Sequence, residues 1–129
     1  MLRRRSSSIV TCSRRCCAST TLACSASWLA VTLMLALLRR LPEARQTVLD
    51  GKWQPVRGHE ASGRTLGIVG YGRLGRKVAA VGRALGMHVM VYDAEPVKIP
   101  KSFTTAPSLN FLLSKADIAS FHVPLDQRS

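Results

Sequence analysis

Thr65-Leu66-Gly67-Ile68-Val69-Gly70-Tyr71-Gly72-Arg73-Leu74-Gly75 is the stretch that decides the fold. Its first five residues are an apolar run with β-branched members, which reads as a buried strand. Gly70-Tyr71-Gly72 reads as a turn. Beyond it, apolar residues recur at Leu74, Val78, Val81 and Leu85, one face of a helix. Gly86 ends that helix as a left-handed cap. His88-Val89-Met90-Val91-Tyr92 is a second strand, and it ends at Asp93, with positions 76–92 between Gly75 and the acid.

A glycine pattern alone is weak evidence. Here a strand precedes it, an amphipathic helix follows it, a second strand comes next and that strand closes on a carboxylate, which together describe a dinucleotide site. Each residue has a physical task. Gly70 permits the tight strand-to-helix turn, Gly72 lets the backbone approach a diphosphate, and Gly75 lets the helix lie close to the strand. The helix start offers unpaired amides and the positive end of a dipole. Asp93 is placed to accept from the hydroxyls of an adenosine ribose, and its charge repels a 2′-phosphate, so NAD is expected over NADP. Arg73 adds charge beside the turn or points to solvent.

Downstream, positions 96–101 read as a loop and Phe103-Thr104-Thr105 as a short third strand. Ser108 can cap a helix with Leu109, Leu112, Leu113 and Ala116 on its apolar face. Asp117-Ile118-Ala119-Ser120-Phe121-His122 is a strand, closed by Pro124. Such alternation predicts an α/β fold, a Rossmann-like parallel sheet with flanking helices, here incomplete. The last strand is expected to present an open edge. His122 lies near the carboxyl end of its strand, where ligands of parallel sheets bind. A histidine there can serve as an acid-base group, but a cofactor-contacting or strand-capping role is the preferred reading. His88 and His59 read as structural and solvated, respectively.

Upstream, Trp28 to Leu38 is strongly apolar, and the helical pattern runs on to Asp50-Gly51, with Pro42 expected to kink or interrupt it. Eleven residues of helix rise about 16 Å, roughly half of a hydrocarbon core, so a buried helix is preferred to a membrane span. The expected division is therefore a disordered basic segment over 1–27, a helix over 28–50, a loop over 51–63 and a partial nucleotide-binding domain over 64–129. The net charge is +12 for 129 residues. The first forty residues contribute seven arginines and no acid, leaving +5 for the rest (12 basic minus 7 acidic). Without interleaved aromatics or a binding fold, those arginines do not predict a nucleic-acid partner. The segment 1–27 resembles a transit peptide, the n-region of a signal peptide, or a mis-assigned start. All four cysteines lie within residues 12–24 in no zinc-binding spacing. A reducing, cytoplasmic setting is expected, with organellar targeting as the alternative.

The run Gly63–Gly75 resembles the cofactor fingerprint of the D-isomer-specific 2-hydroxyacid dehydrogenases, which include phosphoglycerate dehydrogenase and hydroxypyruvate reductase. Ala84-Leu85-Gly86-Met87 with Val91-Tyr92-Asp93 is similar to the same family, as is Ala116-Asp117-Ile118 leading into His122-Val123-Pro124-Leu125. Leu35–Ala44 is similar to its long interdomain helix, and Gly51-Lys52-Trp53 to the loop after it. The likeness covers roughly residues 28–129.

The resemblance implies that Gly70, Tyr71, Gly72, Arg73, Leu74 and Gly75 form the NAD-binding turn, with Arg73 and Leu74 supplying backbone contacts to the pyrophosphate, and that Asp93 holds the adenine ribose. It places Val123 and Pro124, next to the candidate cofactor contact His122, in the cofactor cleft, with Ser129 where the family often has a threonine contact. It implies homodimers and, in the full-length enzyme, a small 2-hydroxy or 2-oxo acid as substrate. The substrate-binding arginine and the histidine–glutamate pair of the family fall beyond residue 129. The chain is accordingly expected to be the NAD-binding fragment of an oxidoreductase acting on the CH–OH group of a D-2-hydroxy acid, inactive alone. The alternative is a non-catalytic NAD-binding module like the family's transcriptional corepressors.

Overall fold

The computed structural model describes residues 8–11 and 20–123. In chain order the elements are β1 (Ser8–Thr11), α1 (Thr20–Leu38), α2 (Leu41–Leu49), β2 (Thr65–Val69), α3 (Arg73–Ala84), β3 (His88–Tyr92), β4 (Thr104–Thr105), α4 (Leu109–Lys115) and β5 (Ile118–Phe121). The strands form one sheet in the order β1-β5-β2-β3-β4, and every pairing is parallel. The predicted α/β parallel sheet with flanking helices is what the chain forms.

β2 is the centre, and its alternation explains the layers. Leu66 and Ile68 belong to the larger core with Val78 and Ala79 of α3, Ala30, Val31 and Met34 of α1, and Val89 and Val91 of β3. The intervening residues face the other way. Val69 packs with Leu112 and Ala116, and a Cβ added at Gly67 would lie 2.4 Å from Leu112 Cδ2. Side chains of a strand alternate between faces, so the one short run lines two cores, as a sheet with helices on both sides requires. Leu66, Ile68, Val78, Val91 and Leu112 are fully buried, each contributing about 1.5–3 kcal/mol of apolar transfer.

The helix ends follow local chemistry. Gly86 (φ 75) and Gly51 (φ 68) are left-handed. After each, the chain folds back: Met87 N–H donates to the Gly82 carbonyl at 3.0 Å and Lys52 N–H to the Thr47 carbonyl at 2.9 Å, the Schellman arrangement. Ser108 accepts from Phe111 N–H at 3.2 Å, as an N-cap does.

Three expectations differ from the structure. The helix expected over 28–50 is two helices, α1 and α2, divided at Arg39–Arg40 with Arg40 left-handed (φ 52). Pro42 does not itself make the break. It sits in the first turn of α2, where its missing N–H costs nothing. Second, β1 and the start of α1 fall inside the segment expected to be disordered over 1–27. Third, the edge of β5 is covered, because β1 pairs along it from Ser8↔Ile118 to Thr11↔Phe121. Among the described residues no helix is long and apolar enough to cross a membrane.

Candidate cofactor site

β2 delivers the chain to Gly70, whose φ of 92 only glycine adopts easily. Its N–H donates to the Tyr92 carbonyl at 2.8 Å, locking the start of the turn to the end of β3. A Cβ on Gly70 would fall 2.9 Å from the carbonyl carbon and oxygen of His122. The turn is therefore wedged between the carboxyl ends of β3 and β5.

Gly72 is the N-cap of α3, and no side chain caps the helix. The first intrahelical bond runs from Arg76 N–H to the Gly72 carbonyl at 3.0 Å. The amides of Arg73, Leu74 and Gly75 precede it and have no acceptor within the helix. A Cβ on Gly72 would meet nothing within 4 Å. Bare amides, a helix dipole and open space above a glycine fit a diphosphate. At Gly75 the reverse holds, since a Cβ there would lie 2.1 Å from the Gly70 carbonyl oxygen. Helix and strand touch at that point.

Asp93 stands at the end of β3, beside the turn. Its Oδ2 accepts from Tyr71 N–H at 2.6 Å, and its Oδ1 accepts from Glu95 N–H at 3.0 Å. The structure thus brings together Gly70 through Gly75, Asp93, His122 and Val123. They meet at the carboxyl ends of β2, β3 and β5, and β3 and β5 flank β2 on opposite sides. Ligands of open α/β sheets bind in the crevice at such a reversal of strand order. Pro124 and Ser129 lie outside the described residues.

Sequence reasoning missed three features. The Tyr71 ring is buried, in edge contact with Phe103 at 6.1 Å between centroids, so only its backbone belongs to the turn. The cation tied to the turn is Arg76. Its guanidinium lies 5.4 Å from the Tyr71 ring centroid, and its Nε donates to the Tyr71 carbonyl at 3.3 Å. The fully buried face of α3 is Gly75, Val78, Ala79 and Gly82, whereas Leu74, Val81 and Leu85 are only half-buried. Small residues win because the helix sits so close to β2: a Cβ on Gly82 would lie 2.5 Å from Leu66 Cδ2.

His122 is a half-buried imidazole that stays neutral near pH 7. Nε2 lies 2.9 Å from Ser120 Oγ, Nδ1 is sealed with no hydrogen-bond partner among the described residues, and burial pushes its pKa down to about 4 from 6.5. The unfolded chain takes up the proton first, so the associated stability is complete above pH 6.5 and lost as pH falls toward 4. Chemical denaturation should show a loss on the order of 3 kcal/mol from pH 7 to pH 4 that His122→Gln lacks. Parallel profiles for the two proteins would remove this account of His122. Among the described residues no cluster of three or more His, Cys, Asp or Glu could hold a metal.

Comparison with known proteins agrees with this geometry. The family described as "D-isomer specific 2-hydroxyacid dehydrogenase, NAD binding domain" matches residues 31–129. D-3-phosphoglycerate dehydrogenase of Synechocystis sp. is 35% identical over 99 residues, covering 74% of this chain and 18% of that protein. Hydroxypyruvate reductase of Thermotoga maritima is 37% identical over 107 residues, covering 80% and 34%. Among solved structures, the NAD-dependent formate dehydrogenase of Staphylococcus aureus in complex with NAD superposes with a TM-score of 0.74 at 28% identity, covering 82% of this chain and 33% of that one. The chain thus spans about a fifth to a third of the length of these relatives. By sequence and by fold, it belongs to the D-isomer-specific 2-hydroxyacid dehydrogenase family, and what it carries is that family's NAD-binding domain.

Proposed function

We propose that this chain is the NAD-binding portion of an oxidoreductase that acts on the CH–OH group of a small D-2-hydroxy acid. The observation that carries the reading is the placement of the Asp93 carboxylate against the glycine turn, 2.6 Å from the Tyr71 amide, at an uncapped helix start. Asp93 would hold the adenosine ribose, and the amides of Arg73, Leu74 and Gly75 would hold the diphosphate. Val123, exposed beside Gly70, lines the cleft with His122, and the family likeness assigns Pro124 and Ser129 to the same cofactor contact. Bound NAD would supply hydride acceptance. The residues here would bind it and orient it, and the negative charge of Asp93 favours NAD over NADP.

Hydride transfer also needs a substrate held against the nicotinamide. By the family likeness the substrate arginine and the histidine–glutamate pair are expected beyond residue 129, so the proposal for residues 28–129 is NAD binding without turnover of a hydroxy acid. Calorimetry of the 129-residue chain should show NAD binding with weaker binding of NADP, while no NADH absorbance grows when D-2-hydroxy acids are added. A folded chain that ignores NAD would end the reading. NADH production would refute its inactive half.

The same reading makes the chain a homodimer. α1 buries Ala30, Val31, Met34 and Leu38, yet leaves Trp28, Leu29, Leu33 and Leu37 exposed on its outer side. A helix apolar on both sides belongs between two layers, and an exposed apolar stripe of this kind marks an interface. Sedimentation velocity should give a dimer that Leu33→Glu converts to monomer. A monomer for the unaltered chain would contradict the assignment. The lack of cysteine beyond Cys24 supports a reducing, cytoplasmic location.

A further inference from the structure

We propose that Asp93 is a latch on the glycine turn as well as a ribose ligand, so that the ribose and diphosphate subsites stand or fall together. The inference deepens the proposed NAD site and rests on it for the ligand, but its structural half is independent of any ligand. A carboxylate offers about four acceptor positions. Oδ2 spends one on the Tyr71 amide and Oδ1 one on the Glu95 amide. One position remains on each oxygen, the number a ribose diol requires. The Tyr71 contact, at 2.6 Å, is as short as a charge-assisted bond becomes.

The latched amide sits at the pivot of the turn. Gly70, on one side, holds the left-handed conformation, and Gly72, on the other, begins α3. The rest of Tyr71 is pinned elsewhere, its ring in the core and its carbonyl by Arg76 Nε. The Tyr71 N–H is the remaining free handle, and Asp93 takes it. The amides of Arg73, Leu74 and Gly75 follow directly, so their direction depends on that hold. An asparagine at 93 cannot replace it fully. Its single carbonyl oxygen can serve one of the two amides, and its NH2 then faces the other donor.

A consequence concerns cofactor choice. Removing the charge at 93 is the obvious way to admit a 2′-phosphate. The latch predicts that a single Asp93→Ala change releases the turn and fails to create an NADP site.

The test uses inorganic pyrophosphate, which has no ribose, alongside NAD and NADP, on the full chain and its Asp93→Ala and Asp93→Asn variants. Amide exchange of Tyr71 is followed by NMR without ligand. The latch predicts that Asp93→Ala weakens pyrophosphate by about tenfold and NAD by more, gains no NADP affinity, and speeds exchange of the Tyr71 amide while the β2 amides stay protected. Asp93→Asn should fall between, and it carries the same readouts if the alanine variant does not fold. If the unaltered chain binds neither NAD nor pyrophosphate, the cofactor reading fails, and faster Tyr71 exchange in the variants still upholds the latch. If NAD binding drops while pyrophosphate affinity and Tyr71 exchange hold steady, Asp93 is a ribose ligand only and the latch is overturned. A gain of NADP affinity in Asp93→Ala overturns it as well.

Discussion

Gly75→Ala is expected to cost the domain about 3 kcal/mol or more and to abolish NAD binding with it. The added methyl would lie 2.1 Å from the Gly70 carbonyl oxygen, 3.2 Å from its carbon and 3.2 Å from Ile68 Cγ2. The first two are backbone atoms, and they have nowhere to go. Gly70 is tied to Tyr92 through its N–H and pressed against the His122 carbonyl on its other side. Ordinary overpacking costs about 1–3 kcal/mol when side chains can shift, and here they cannot. Relief requires α3 to lift away from β2, which uncovers Leu66 and Ile68, both fully buried. Against a total stability of about 5–15 kcal/mol, that is a large fraction. Thermal unfolding should fall by on the order of 15 °C, and calorimetry should detect no NAD. A variant melting like the unaltered chain would mean that the helix does not approach the strand as closely as the structure places it.

The contact behind that prediction was legible in the sequence, and the reason is its locality. Strand, turn, helix start and acid lie between positions 65 and 93, and each is announced by its own residues: β-branched apolar runs, glycines at the turn, an apolar helical period and a carboxylate closing the second strand. What could not be read depends on distant partners. The break between α1 and α2 is set from outside. His59 N–H donates to the Leu38 carbonyl at 2.7 Å, and Gly58 comes so close that a Cβ would lie 2.7 Å from Arg39 Cα. A loop some twenty residues downstream thus closes the end of α1, where Pro42 had seemed the natural cause. β1 is four residues long, and its pairing with β5 spans most of the chain. Nothing in Ser8–Thr11 names that partner. The tyrosine of the turn was read as a cofactor contact because its neighbours are, yet its ring is in the core. The reason is tertiary: Phe103, some thirty positions on, provides the buried edge it packs against.

Gly72→Ala should separate what Gly75→Ala destroys together. An alanine Cβ at 72 meets nothing within 4 Å, and the backbone there (φ −76, ψ −163) is extended, which any residue adopts. Stability should stay within about 0.5 kcal/mol of the unaltered chain. Binding should not survive so well. In the proposed site, the open space at Gly72 is where the diphosphate would come down to the amides of α3. A methyl there holds it off by about a bond length, lengthening several charge-assisted hydrogen bonds at once. NAD affinity should fall about a hundredfold, a change of about 2.7 kcal/mol, and Gly72→Val should leave none measurable while still folding. Thermal unfolding and calorimetry on the same samples make the test. Gly75 and Gly72 lie three residues apart in one motif, yet the first is required by the protein's own packing and the second only by something the protein must accommodate. If Gly72→Val bound NAD as the unaltered chain does, the glycine turn would still be needed for the fold, but the diphosphate would have to lie elsewhere.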